Sequence, residues 1–137
     1  MKIQFRWLVV LGELALLYNV LLVGSVVLNL DWVRTRAAGG QFENFPIGIR
    51  IAYLFTTLIM LFFMAMLWNH RVNPLQKRGP LIAKIIGYQF LVSTFFQLIS
   101  RSPNERWNAV PALILAYVFS QLAKRKSASM NQTTRTK

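Results

Sequence analysis

The sequence predicts an all-α integral membrane protein whose four transmembrane helices form an antiparallel bundle. Two observations lead to this fold class. The mean hydropathy is +0.41 and 15% of the residues are charged, against about 25% in soluble proteins. The apolar residues also lie in four runs, each close to the roughly 20 residues that a helix needs to cross a bilayer. We place helices at about 7–30, 48–68, 80–100 and 103–123, within one transmembrane domain that spans residues 1–123.

The first two helices are separated by the longest loop of this arrangement. The first run contains one charged residue, Glu13, and the run 51–68 contains none. Gly39-Gly40 in the loop 31–48 indicates a flexible turn. The same loop contains three aromatic residues of the kind that anchor a chain at a membrane surface, Trp32, Phe42 and Phe45. We expect this loop to lie on the outer surface of the membrane.

The last two helices begin with recognisable signals. Gly79-Pro80 places a proline at the start of the third run, where the missing N–H costs little. Ser102 and Glu105 flank Pro103 in the pattern of a capping box, so the fourth helix is predicted to begin near Pro103. The connector is then only about two residues long. Helices 3 and 4 should form a tight hairpin.

Helix 4 is predicted to be kinked and closely packed. Pro111 removes one backbone donor inside the helix and pushes away the carbonyl of Trp107, which must then find another partner. Small residues at four-residue spacing form ladders that allow helices to approach closely. One ladder lies at the start of helix 3 and consists of Gly79, Ala83 and Gly87. The other lies in helix 4 and consists of Ala112, Ala116 and Ser120.

The orientation follows from the basic residues. The net charge is +12, and eleven of the sixteen Lys and Arg residues fall on the side that carries both termini. This bias matches the positive-inside rule, so both termini should be cytoplasmic, in a plasma (inner) membrane. Residues 124–137 are polar and unpatterned, which predicts a disordered tail. Its first three residues are suited to contact with anionic lipids: Lys124, Arg125 and Lys126.

Several classes of function are disfavoured by composition. The chain has no cysteine and one histidine, His70, which argues against thiol chemistry, metal sites and haem attachment. We find no paired carboxylates at catalytic spacing and no phosphate-binding or hydrolase motif, so an enzyme is disfavoured. We expect no cofactor. The basic residues are explained by topology, and nucleic acid is not an expected partner.

The first candidate site is polar and lies inside the membrane. An ionisable residue within a spanning helix is costly and therefore a functional candidate. Glu13 lies about 9 Å below the cytoplasmic edge at 1.5 Å per residue, and Lys84 and Gln89 of helix 3 lie at a comparable depth. Asn19 completes this candidate site, together with Thr56 and Thr57 of helix 2 as possible hydrogen-bond partners. The alternative is a structural role, in which Glu13 pairs with Lys84 or hydrogen-bonds Gln89 or Tyr88 and so holds helix 1 against helix 3.

A second candidate site is a polar pocket on the outer side. Gln89, Ser93 and Gln97 recur every four residues along helix 3, and this stripe should face the bundle interior. At its outer end the stripe meets the start of helix 4, where four polar residues would converge: Gln97, Arg101, Glu105 and Asn108. The alternative is an ordinary hydrated ring at the membrane interface.

A membrane-embedded glutamate in the first of four short helices, here in Leu11-Gly12-Glu13-Leu14, resembles the small multidrug resistance transporters. That resemblance implies a homo-oligomeric transporter for protons, cations or lipophilic solutes. The chain departs from the family in its long first loop, its basic tail and its charge bias.

We expect instead a non-enzymatic accessory, scaffold or assembly subunit of a membrane complex, in contact with copies of itself or with other subunits. A chain this short encloses little cavity, while its small-residue faces suit contact between helices. The first alternative is the proton- or cation-coupled transporter that uses Glu13. The second is a binding protein for a quinone, pigment or lipid at the soft surface of helix 2, formed by Met60, Phe62, Phe63, Met64 and Met66.

Overall fold

The computed structural model describes residues 2–72 and 79–135, which contain helices and turns but no strand. Three of the helices contain stretches long and apolar enough to cross a membrane, Arg6–Val27, Ile47–Asn69 and Gly79–Leu98. Lys77, Arg78 and Lys137, which contribute to the predicted charge bias, lie outside the described residues. The helices are α1 (Lys2–Val27), α2 (Ile47–Val72), α3 (Gly79–Leu98), α4 (Pro103–Arg106) and α5 (Ala109–Arg135).

α1 ends at Val27, three residues before the predicted boundary. Asn29 adopts a left-handed conformation, with φ of 56°. Its N–H donates to the Val26 carbonyl at 3.0 Å, and the Leu30 N–H donates to the Ser25 carbonyl at 3.0 Å. These two bonds form a Schellman motif, in which a left-handed residue closes a helix and satisfies its last carbonyls. Asparagine tolerates this conformation better than most residues, which explains why the helix stops here.

The segment before α5 differs from the continuous fourth helix that we predicted. α4 begins at Pro103, as expected, but a two-residue turn follows it and the long helix begins only at Ala109. Pro111 therefore lies in the first turn of α5, where a helix does not use every N–H. The interruption precedes Pro111 and begins at Trp107, the residue whose carbonyl the proline ring pushes away. Pro111 has no N–H to donate to the Trp107 carbonyl, and this carbonyl accepts from the Val110 N–H at 3.2 Å, which is the kind of alternative partner that we expected.

α5 continues beyond the apolar part of the chain. We predicted a disordered tail at 124–137, whereas the helix extends to Arg135. No glycine or proline follows Pro111, and the Lys, Arg, Ala, Met and Gln residues of this segment are strong helix formers. A packed helix already supplies the nucleus, so extension by further turns carries no nucleation cost.

α1 and α5 occupy the centre of the bundle. α1 packs against α2 and α5, and α5 packs against both α1 and α3. In the core, the rings of Phe63, Phe90 and Phe119 meet with centroids 6.0 to 6.1 Å apart. These three residues come from α2, α3 and α5, so the aromatic cluster packs α2 against both α3 and α5. The next residue in α2, Phe62, is 63% exposed.

Gly12 permits a close approach of α1 to its two neighbouring helices. A Cβ atom at this position would lie 2.8 Å from Leu67 Cδ2 and 3.0 Å from Val118 Cγ1. Both neighbours are fully buried, so neither has free space into which to move. The backbone of α1 therefore contacts side chains of α2 and α5 directly, and only glycine fits between them without a shift.

We expect Gly12→Val to destabilise the protein by about 1–3 kcal/mol through overpacking of the core. The measurement is the thermal unfolding midpoint of the purified protein in mild detergent. Gly48→Val is the matched control, because Gly48 is exposed and a Cβ atom there meets nothing within 4 Å. Equal midpoints for the two variants would contradict the close approach at Gly12.

Candidate functional site

The loop that follows α1 is folded onto the end of the bundle. It contains two short 3-10 turns, Asp31–Val33 and Ala38–Gly40. Val33 and Phe45 are buried, and they pack with apolar side chains from the last turns of α1, Leu22, Val23 and Val26. We expected Phe45 to anchor the loop in the membrane interface, but it instead forms part of a second apolar core beneath the loop.

Asn108 joins three parts of the chain at this end of the bundle. It is 3% exposed and lies in the turn between α4 and α5. Its Nδ2 donates to the Arg36 carbonyl of the loop at 2.8 Å. The Tyr18 hydroxyl of α1 donates to its Oδ1 at 2.8 Å. Both ends of this amide are therefore hydrogen-bonded, as the burial of a polar side chain requires.

Ser102 and Glu105 make a second set of bonds to the same loop. The Ser102 hydroxyl donates to the Thr35 carbonyl and makes no capping bond to α4. Glu105 Oε2 accepts from the Gly39 N–H at 2.9 Å and from the Ser100 hydroxyl. The residues that resemble a capping box in sequence thus bind a distant segment of the chain.

We call this arrangement the loop anchor. It consists of the side chains of Tyr18, Ser102, Glu105 and Asn108 with the backbone groups that they bind at Thr35, Arg36 and Gly39. Its bonds join residues 66 to 90 positions apart in sequence. Of the four residues predicted for the outer pocket, the loop anchor brings together Glu105 and Asn108.

The other two residues of the predicted outer pocket lie elsewhere. Arg101 is exposed. Gln97 Nε2 donates to the Ser93 hydroxyl within α3 at 3.2 Å, and Gln97 Oε1 has no hydrogen-bond partner among the described residues. The structure thus places Glu105 and Asn108 in the loop anchor, and Gln97 and Arg101 outside it.

The predicted intramembrane site is also not assembled as a group. We expected α1 to pack against α3, but α1 instead contacts α2 and α5. Lys84 and Gln89 are exposed, and the Lys84 ammonium lies 5.9 Å from the centre of the Tyr88 ring. Glu13 is half-buried in α1, and no ion pair joins it to Lys84 in the described part of the chain.

The polar stripe of α3 does not face the bundle interior along its whole length. The buried residues of this helix are instead Ala83, Ile86, Gly87, Phe90 and Thr94. Gln89 precedes Phe90 directly and is therefore rotated by about 100° from it. The apolar face determines how the helix rotates, so Gln89 is directed outward.

The proposed hydrogen-bond cluster between α1 and α2 is absent from the described residues. Asn19 is buried, and its Nδ2 donates to the Ala15 carbonyl of its own helix at 2.8 Å. Thr56 and Thr57 likewise donate to carbonyls four residues earlier in α2, at 3.0 and 2.8 Å. Such local bonds satisfy the polar group without linking helices.

The small-residue positions lie mostly where α3 and α5 meet. Ala83, Ala112 and Ala116 are buried, and Gly79 is half-buried. A Cβ atom at Gly87 would lie 3.3 Å from the Ser120 hydroxyl and 3.4 Å from the Ala116 carbonyl. The two predicted ladders therefore meet at Gly87.

The sequence analysis did not identify Tyr18 and Arg50, two residues whose hydrogen bonds join separate segments at this end of the bundle. Tyr18 bonds to Asn108, as described above. Arg50 Nε, at the start of α2, donates to the Val27 carbonyl at the end of α1, at 2.7 Å. A cation near the carboxyl end of a helix is favourable because the last carbonyls carry partial negative charge. The position of Arg50 just before the second apolar run is the signal that points to this role.

Comparisons of the chain with protein-family models, with curated proteins and with solved structures gave no match. The functional argument therefore depends on the residues and their geometry.

We expect Asn108→Ala to loosen the loop, because it leaves the partly buried Tyr18 hydroxyl and Arg36 carbonyl without this partner. Loss of hydrogen bonds of this kind costs about 2 kcal/mol, which corresponds to roughly 30-fold more frequent local opening. The chain has no cysteine, so a single thiol can report this opening. In an Ala37→Cys background, where the wild-type position is 2% exposed, Asn108→Ala should accelerate thiol labelling.

Asn104→Ala is the matched control, because Asn104 is exposed in the same segment. Its labelling rate should equal that of the Ala37→Cys protein alone. Similar acceleration by both substitutions would contradict a specific role for Asn108.

Proposed function

We propose that this chain is a small multi-pass membrane protein that works as a non-enzymatic accessory, scaffold or assembly subunit of a membrane complex. The observation that carries the proposal is the use of the loop anchor. Its amide, carboxylate and hydroxyl groups bind backbone groups of the same chain. Groups held in this way stabilise a shape, whereas a catalytic site needs groups that are directed at a substrate.

We further propose four membrane crossings in an antiparallel bundle, with α3 and α5 as a tight hairpin. The uncharged part of α5, residues 109–123, is about 22 Å long at 1.5 Å per residue. Three of its side chains are fully buried: Leu115, Val118 and Phe119. This burial is expected if α5 is a fourth spanning helix packed between α1 and α3. Both termini would then be cytoplasmic in a plasma membrane, in accordance with the basic residues.

The outer face of α2 is the surface that we assign to a partner. α2 packs against α1 at one edge of the bundle, and 17% of its apolar stretch is buried, against 50% for α1. Large apolar side chains cover the exposed face: Leu54, Phe55, Leu58, Ile59 and Phe62. The partner would be another transmembrane subunit or a second copy of this chain, packed side by side with α2.

A photoreactive phenylalanine analogue at position 62 should give a discrete protein adduct in native membranes. Phe96 in α3 is the matched control, because both residues are 63% exposed and the proposal assigns the partner to α2. The measurement is the mass and identity of adducts by denaturing electrophoresis and mass spectrometry. Adducts of equal yield at both positions, or lipid adducts alone at position 62, would count against a subunit docked on α2.

Glu13 supports the second candidate, a proton- or cation-coupled transporter, because it is an ionisable and half-buried residue within the apolar stretch of α1. The scaffold proposal expects Glu13→Gln to leave proton flux across reconstituted vesicles unchanged. Flux is measured with a pH-sensitive dye inside the vesicles, with Gln89→Leu as a control at an exposed polar position of α3. A flux in the wild type that Glu13→Gln abolishes, while Gln89→Leu retains it, would replace the scaffold proposal by transport.

A further inference from the structure

A groove of about 630 Å³ lies between α3 and α5. Its volume falls within the range of small-molecule sites, about 300–1,000 Å³. The α3 wall consists of Lys84, Gly87, Tyr88 and Leu91, at the spacing of one helix face. Because Gly87 has no side chain and lies against Ala116, the floor of the groove is formed by closely packed helices.

The groove is positively charged at one end. Lys84 and Lys124 both line it, and both are exposed. None of the four carboxylate residues of the chain is among its lining residues. The Lys84 ammonium lies over the Tyr88 ring, which is a weaker partner than a carboxylate. Two cations without a neighbouring carboxylate attract an anion.

The other end of the groove is apolar. Leu91 and Leu113 line it, and Leu91 lies about 10 Å along α3 from Lys84 at 1.5 Å per residue. Tyr88 and Tyr117 border the groove and are more than half exposed, so the groove opens sideways, toward the surroundings of the bundle. Along the direction of the helices, the groove is therefore cationic near Lys84 and Lys124 and apolar near Leu91 and Leu113.

We propose that this groove binds an anionic glycerophospholipid. The phosphate lies between Lys84 and Lys124, and one acyl chain follows the groove past Tyr88 to Leu91 and Leu113. A sideways opening admits a lipid directly from the bilayer. This site is independent of the proposed scaffold function, and the described residues that line it belong to α3 and α5.

A second groove lacks the two lysines, and this difference supports the assignment of the anionic lipid to the α3–α5 groove. It has a volume of about 430 Å³ and lies between α1 and α5, with Leu11, Leu14, Tyr18 and Trp107 among its lining residues. Its lining contains no cation. Apolar surface is therefore common to both grooves, and the charge pair distinguishes the α3–α5 groove.

The experiment is native mass spectrometry of the full chain, titrated with phosphatidylglycerol and, separately, with phosphatidylcholine in mild detergent. The wild type should retain phosphatidylglycerol in preference to phosphatidylcholine. Lys84→Gln and Lys124→Gln should each weaken that binding about fivefold, the equivalent of roughly 1 kcal/mol per basic residue near a membrane surface. Arg6→Gln is the matched control, since Arg6 is an exposed cation on α1 that does not line the groove.

Two further measurements distinguish binding of a whole lipid from binding of its head group alone. Leu91→Trp fills the apolar end without changing charge, so it should weaken phosphatidylglycerol binding while both lysines remain. Glycerol phosphate, which has no acyl chain, should not displace the lipid at an equal concentration. Unchanged binding in the Leu91→Trp variant, displacement by glycerol phosphate, or equal loss in Arg6→Gln would each overturn the proposal. An unchanged elution profile in gel filtration shows that each variant is folded.

Discussion

Backbone groups at the edge of an apolar bundle need hydrogen-bond partners, and this need shapes one end of the molecule. The loop after α1 covers buried side chains such as Val26 and Val33. The Arg36 carbonyl and the Gly39 N–H of this loop take part in partly buried hydrogen bonds, and a polar group left unpaired away from water costs about 1–3 kcal/mol. Ser102, Glu105 and Asn108 supply the partners. The loop, the α4–α5 turn and α1 are therefore stabilised together.

This constraint also explains the broken start of the last helix. A continuous helix from Pro103 would place Asn108 inside it, with its backbone N–H bonded one full turn earlier. In the structure that N–H donates to the Glu105 carbonyl at 2.9 Å, and the turn directs the side chain toward Arg36 and Tyr18. A less regular backbone is stabilised because it gives the buried Asn108 amide two hydrogen-bond partners.

The sequence predicts the apolar helices well and the polar contacts poorly. Run length and proline positions locate α2, α3 and the start of α4 to within a few residues, because these features depend on local chain properties. Neighbour relations between helices do not follow from such patterns. The expected pairing of Glu13 with Lys84 assumed that α1 lies beside α3, whereas α1 packs against α2 and α5. Gly87 was identified because small residues mark close contact whichever helix is opposite. Tyr18 was missed because its partner is 90 residues away.

The long sequence separation within the loop anchor has a consequence for biogenesis. A ribosome makes Thr35 and Arg36 well before it makes Ser102 and Asn108. During that interval the first loop cannot adopt its finished conformation, whatever α1 and α2 have already done. Synthesis of the last helix therefore supplies the hydrogen bonds that complete the first loop, and a chain truncated before Ser102 lacks them.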